Sequence, residues 1–337
     1  MKKIFFFLLV LALVSCNAGK NITTANPEDF ASSITAKELK EHLYIFASDS
    51  FMGRDTGKPG QKKAAKFLKD YYMELGIASP LGDDNYYQKI PSSYFSGKYG
   101  DTENVIAFIK GRDYENPNTR EFVVISAHYD HVGVDEEGNV YNGADDDASG
   151  NMAILEIAEA FKLAVEKGYR PKRSIVFLHF TAEEKGLLGS KFYSENPILP
   201  LEQTITNLNI DMVGRIDDAH KNNPDYVYLI GTKMLSTELH EISELANEEF
   251  VNLNLDYRYN DKNDPNRFYY RSDHYNFAKH GIPVIFYFNG VHEDYHQITD
   301  EAHKIEYDLL EKRTKLIFHT AWKVANAEHA PVVDKAG

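Results

Sequence analysis

Within twenty residues, A-H-Y-D-H-V-G (from Ala127) and N-G-A-D-D-D-A-S-G (from Asn142) set two imidazoles among four aspartates. Nitrogen and oxygen donors gathered this densely, with no sulfur among them, suit a catalytic zinc ion with positions left open for water. Co²⁺ or Mn²⁺ would also fit such a set. In H-Y-D, the carboxylate of Asp130 can accept the second N–H of His128 and fix its tautomer, which leaves the other ring nitrogen for metal. Asp145, Asp146 and Asp147 also suit a helix N-terminus, where carboxylates accept from free backbone N–H groups. For the three aspartates alone, both readings stand.

The elements that would position these groups follow from hydrophobic pattern. Residues 122–125 form a β-branched and aromatic run without alternation, as expected of a strand covered on both faces. In open α/β sheets the chemistry collects beyond the carboxyl ends of such strands. Gly143 and the aspartates predict a tight turn into a helix over 151–165, with Ile154, Ile157, Ala158, Phe161 and Val165 on one face. A second buried strand, S-I-V-F-L-H-F, ends in T-A-E-E-K-G, and a third, N-L-N-I, stops at Asp211. Glu183 and Glu184 are adjacent on an irregular strand end, so one can bind metal while the other faces a water. A solvated turn is the ordinary reading of E-E-K, but its place at a strand end argues for the site.

Upstream, Thr35 and Glu38 make a capping box before a helix with Leu39, Leu43 and Phe46. A glycine-rich loop near Asp49 to Arg54 reads as a connection to a second helix, stopped by Gly76. Downstream come a strand over 226–230, an amphipathic helix over 235–250, and a Tyr-, Asn-, Asp- and Arg-rich loop over 254–272. Loops of that length are often functional. A short helix and a buried strand then lead into N-G-V-H-E-D-Y-H-Q-I-T-D, and a helix over 306–325 closes the fold.

H-E-D-Y-H at 292–296 matches the H-E-x-x-H zinc-peptidase pattern. That pattern works only on a helix, and here it follows a strand and an Asn-Gly turn, with no apolar helical period around it. His296 alone joins the strand ends. H-Y-D, G-A-D-D-D-A-S-G, T-A-E-E-K-G-L-L-G-S, N-I-D-M-V-G and D-Y-H-Q-I-T-D, in this order, resemble the two-zinc aminopeptidases of metallopeptidase family twenty-eight. A-S-D-x-x-x-G-R near Asp49 and S-D-H-x-x-F-x-x-x-G-I-P from Ser272 are similar too, and the likeness runs over about residues 35–325.

The resemblance implies a single α/β domain, its central, mostly parallel mixed sheet covered by helices on both faces. It implies a zinc-dependent exopeptidase that takes N-terminal residues from peptides. One Zn²⁺ would rest on His128, Asp146 and Asp211 and a second on Asp146, Glu184 and His296, with Asp146 bridging and Asp147 beside it. Asp130 would orient His128, Glu183 would be the general base, and Tyr295 would donate to the oxyanion. Two alternatives share the scaffold: a glutaminyl-cyclase-like acyltransferase with one zinc, and a binding protein without activity. Intact His128 and Asp211 count against the first, and the complete ligand set with Glu183 against the second. A carboxypeptidase or amidase would use the same metals. The site loops are dominated by Asp and Glu, which points to a free N-terminus as the end that is read. Arg267 and Arg271 are the nearest cations, with Arg271 expected to pair with a carboxylate, and the aromatic residues of 257–270 are expected to line an apolar pocket.

The chain has 337 residues, a formal net charge of −14 and one cysteine, Cys16. That charge argues against nucleic acid as a partner. Lys2 and Lys3 followed by an apolar stretch over 4–14 suit a secretory signal, since the stretch is too short to span a bilayer. The ending L-V-S-C resembles a bacterial lipobox. The expected organisation is a lipoprotein signal peptide over 1–15, a tether over 16–33, the zinc peptidase domain over 34–326 and a flexible tail over 327–337. Lipidated Cys16 would hold the protein to a membrane of the bacterial cell envelope, with the outer membrane and a periplasmic face expected.

Overall fold

A computed structural model describes residues 25–82 and 84–335, so the expected signal peptide and Cys16 lie outside the described residues. The strands are β1 (Tyr87–Ile90), β2 (Thr102–Ile109), β3 (Phe122–His128), β4 (Gly133–Val134), β5 (Val140–Tyr141), β6 (Ser174–Phe180), β7 (Thr204–Ile210), β8 (Tyr226–Ile230), β9 (Asn254–Asp256) and β10 (Val284–Phe288). The helices are α1 (Glu28–Ala31), α2 (Ala36–Phe46), α3 (Pro59–Glu74), α4 (Gly150–Glu166), α5 (Leu188–Glu195), α6 (Thr237–Ala246), α7 (Tyr275–Ala278) and α8 (Tyr307–Asn326). None of the described helices is long and apolar enough to cross a membrane.

Eight strands form one sheet in the order β1-β2-β6-β3-β7-β10-β8-β9. The central four, β6, β3, β7 and β10, are mutually parallel. β2 runs antiparallel to β6, and β8 antiparallel to β10, so the sheet is mixed with a parallel heart. The apolar runs lack alternation because both faces are covered. Val123, Ile125 and Ala127 of β3 join a cluster with Leu39, Ile157, Phe161 and Leu316 from the helices of one face. Phe122 and Val124 point the other way, into a cluster with Tyr193 of α5 and Phe277 of α7.

Register decides where the site falls. His128 pairs with Phe180 and Ser126 with Asn209, while Phe286 pairs with Asn209 from the far side. The four parallel strands therefore end at one level, and whatever follows them shares one edge of the sheet. His128, Thr181 to Glu184, Asp211 and the segment after Phe288 are thereby gathered from points far apart in sequence.

Two expected boundaries differ from what is observed. Residues 28–33, read as tether, include α1, whose Phe30 is 1% exposed and packs on Trp322 and Tyr169. A polar, small composition hides this single anchoring side chain. At the other end, residues up to 335 lie along the start of α6: Asp334 Oδ1 accepts from Thr237 N at 3.0 Å and Glu238 Oε2 from Val332 N at 2.8 Å. If residues 28–33 are part of the packed domain, Phe30→Ala should cost about 3 to 5 kcal/mol. Urea unfolding would measure it, and an unchanged midpoint would restore the tether reading.

Candidate metal centre

His128 closes β3, and its Nδ1 lies 3.1 Å from the main-chain oxygen of Asp130, so Nε2 is turned into the cleft. The expected partner was the Asp130 carboxylate, which stands 3.9 Å away. That carboxylate is used elsewhere: it accepts from Thr56 Oγ1 at 2.8 Å and from the backbone N–H of Glu183 at 3.0 Å. Asp130 thus ties the end of β3 to the end of β6 and orients His128 through its carbonyl.

The three consecutive aspartates divide the capping and site roles between them. Asp147 Oδ1 accepts from Gly150 N at 2.9 Å, at the start of α4, and from Met212 N at 3.1 Å. Asp145 Oδ1 accepts from Gly214 N at 2.6 Å, and its Oδ2 faces His292 Nε2 at 3.1 Å. Of the three, Asp146 lines the cleft, while Asp147 also has a carboxylate oxygen within 4.8 Å of donor atoms of His128 and Asp211, close enough for the three to share an ion. Asp146 Oδ1 lies 3.1 Å from His128 Nε2 and its Oδ2 lies 3.0 Å from His296 Nε2. The turn that presents it starts at Gly143, φ 52°, where a Cβ would sit 2.1 Å from the carbonyl oxygen of Asp146, so glycine is required there.

The remaining donors complete two groups. Asp211 Oδ1 lies 3.7 Å from His128 Nε2, and its Oδ2 accepts from Ser272 Oγ at 2.6 Å. Glu184 Oε1 lies 3.2 Å from His296 Nε2. His296 follows Asp294, which is pinned by Arg215 at 2.8 Å and Lys304 at 2.6 Å. His292 and His296 face different aspartates and their segment is not helical, so the H-E-x-x-H match has no counterpart in the geometry.

These spacings suit metal. Two donors about 2.0 to 2.2 Å from one tetrahedral Zn²⁺ lie roughly 3.3 to 3.6 Å apart. The nitrogen-to-oxygen distances just given run from 3.0 to 3.7 Å. The electrostatics agree. Burial lowers the affinity of the His296 imidazole for protons, but its contacts with Asp146 and Glu184 outweigh that and push it up to about 10. For Asp146 burial raises and the His128 and His296 contacts lower, with a net result well below the usual carboxylate range. The cleft is built to hold positive charge.

Glu183 and Tyr295 line the same cleft. Burial pushes the Glu183 carboxyl well up, helped by Asp211, Glu184 and Asp273 and opposed by His128. Burial and the charges of Asp146 and Glu184 raise the Tyr295 phenol, which stays protonated and available as a donor. The opposite wall is apolar: Met212, Phe268, Phe286, Phe288 and Val291. Of residues 257–270, then, only Phe268 reaches it. Tyr257 is held away by Glu244, and Tyr259 packs between Tyr228 and Phe268. Arg271, expected to be paired, has no carboxylate partner among the described residues; it lies over the Phe268 ring at 5.0 Å and borders the cleft.

Sequence reasoning left three contributors without a role. Asp300 accepts from the backbone N–H groups of Asp145 and Asp146 at 3.0 and 3.1 Å. His131 places Nδ1 2.9 Å from Glu184 Oε1. Arg54, fully buried, donates to the carbonyls of Tyr129 at 2.9 Å, Asn142 at 2.6 Å and Gly143 at 2.9 Å, clamping the His128 loop to the Asp146 turn. The loop read as a plain connection is therefore a brace. A charged residue beside glycine carries no local sign that it will be buried.

With this geometry in hand, comparison with known proteins is direct. Residues 104–321, more than half of the chain, match the model of peptidase family M28. The chain belongs to that family. Aminopeptidase Y of Saccharomyces cerevisiae is 28% identical over 67% of this chain and 39% of its own length. The chain spans less than half the length of the curated relatives it matches. Among solved structures, a zinc aminopeptidase from Bacillus subtilis has a TM-score of 0.65 at 17% identity, covering 90% of this chain and 99% of that one. A glutaminyl cyclase from Bacteroides thetaiotaomicron, bound to N-acetylhistamine, also scores 0.65 at 17%, covering 86% and 98%. At such identities the fold is shared and the chemistry must be argued from the site.

Because three main-chain carbonyls rest on one guanidinium, Arg54→Ala should lower stability by roughly 3 kcal/mol or more, given about 1.5 to 3 kcal/mol for a hydrogen bond to a charged group. Arg54→Lys should recover little of it, since a point charge cannot span the fork. Denaturant unfolding of both M28-family variants measures this, and full recovery by lysine would refute the clamp.

Proposed function

We propose that the chain is a two-metal, zinc-dependent aminopeptidase that removes residues from the free N-termini of peptides. One observation carries the reading: Asp146 offers one carboxylate oxygen toward His128 and the other toward His296. A carboxylate shared in this way divides the donors into His128, Asp146 and Asp211 on one side and Asp146, Glu184 and His296 on the other. Bound there, two Zn²⁺ ions would bring the pKa of a shared water toward about 7 and polarise the scissile carbonyl.

The chain's own groups do the rest. Glu183, raised by burial and held by Asp130 through its backbone N–H, takes the proton of the attacking water and passes it to the leaving amine. The Tyr295 hydroxyl, kept protonated by its surroundings, donates to the oxygen that becomes negative. Surplus carboxylate favours an α-ammonium at the site, and Phe286, Phe288 and Met212 offer an apolar wall to the side chain. The cyclase reading shares the fold but has no use for a second ligand set at His128 and Asp211.

Elemental analysis should give two zinc equivalents at saturation, with hydrolysis lost to chelator and restored by zinc; one equivalent would favour the cyclase. Glu183→Gln should keep both metals and lose about 10² to 10⁴ in turnover, whereas Glu184→Gln should weaken one site.

Unpaired Arg271 supports a second reading, in which a cation at the cleft takes a substrate's terminal carboxylate. A panel of free and N-acetylated peptides separates the two. The aminopeptidase should release single residues from free N-termini only. Cleavage of N-acetylated peptides from the C-terminal end, abolished by Arg271→Ala, would reverse the polarity.

A further inference from the structure

His131 lies outside the five-ligand set, yet its geometry matches that of a ligand. Its Nδ1 is 2.9 Å from Glu184 Oε1 and 3.7 Å from Asp146 Oδ2. His296 Nε2 faces the same two oxygens at 3.2 and 3.0 Å. One potential donor atom from each of His131, Asp146, Glu184 and His296 lies within 4.8 Å of the other three. The two rings stand 5.6 Å apart at 73°, so the nitrogens approach the carboxylates from different directions.

The ring is also held in place from behind. The His131 main-chain N–H donates to the carbonyl of Arg54, the residue that braces both ligand loops. A Cβ at Gly143 would lie 2.5 Å from His131 Cδ2, so the glycine that frees the Asp146 turn also makes room for this ring. His131 is fully buried and its Nε2 has no partner among the described residues. Its side chain's polar contacts are therefore all at Nδ1, toward Glu184 and Asp146.

We propose that His131 binds metal through Nδ1, as a fourth protein ligand of the ion held by Asp146, Glu184 and His296. The inference rests on the metal-dependent reading above. It makes the two sites unequal. With one ion bound, four protein donors complete a tetrahedral site there, whereas His128, Asp146 and Asp211 supply only three; the shared water would be a further ligand to both ions once the second is bound. The His131 side then keeps its ion, and the exchangeable ion belongs to the His128 side.

The test uses the full chain, stripped of metal and titrated with zinc against a chelating dye, and with a single equivalent of Co²⁺ read by its d–d absorption. Wild type should show two separated affinities and an intense, tetrahedral first-equivalent Co²⁺ spectrum. His131→Asn and His131→Ala should weaken the first equivalent by more than about 100-fold, beyond the 10- to 100-fold usual for a group that only supports a ligand. The Co²⁺ bands should shift and weaken, while circular dichroism confirms folding. Should both variants unfold, a zinc-edge crystal structure of wild type decides, with Zn–Nδ1 expected at about 2.0 to 2.1 Å. Nδ1 hydrogen-bonded to Glu184 with no ion in reach, or an unchanged Co²⁺ spectrum in folded His131→Asn, overturns the proposal and leaves the two-metal enzyme standing. Wild type that takes up no zinc sinks the enzyme reading itself, and this one with it.

Discussion

Four carboxylates, from Asp146, Glu183, Glu184 and Asp211, converge on one cleft, and they cannot all stay charged out of water unless positive charge stands between them. Several kcal/mol per buried ion is the scale of the cost. The imidazoles of His128 and His296 meet part of it by facing the same oxygens that would hold metal. A site with this imbalance selects for cations by its own electrostatics.

Holding such groups a few ångströms apart takes a second layer of bonds that fixes backbone rather than side chains. Asp145, Asp147 and Asp300 accept from N–H groups at the Asp146 turn, the start of α4 and the stretch after β7. Arg54 does the converse, donating to carbonyls on both the His128 loop and the Asp146 turn. Together they cross-link the loops that follow the parallel strands, so Asp146 is placed by bonds to its neighbours. Ser272 does the same for Asp211 by filling its second oxygen.

The cleft pairs this polar wall with an apolar one made largely of strand residues. Phe286 and Phe288 belong to β10 and are packed in the core beneath the site, so this wall of the cleft is as rigid as the sheet. Arg271 sits at the border in the open, with no carboxylate among the described residues to hold it. One guanidinium thus stands at this cleft against several carboxylates.

The sequence alone determined the strand ends. Apolar runs that stop at His128, Phe180 and Asp211 define buried strands and put the polar residues that follow them on one edge, the carboxyl end of a parallel sheet. The ordered motifs carried the family. Tertiary structure decided what depends on bonds between distant segments. Which of Asp145, Asp146 and Asp147 faces the cleft depends on N–H groups more than sixty residues away. Asp130 steadies His128 by its carbonyl because Thr56 and Glu183 occupy its carboxylate. Phe30, Arg54 and His131 gained their roles in the same way: local sequence gives no sign of which partners a folded chain will bring within reach.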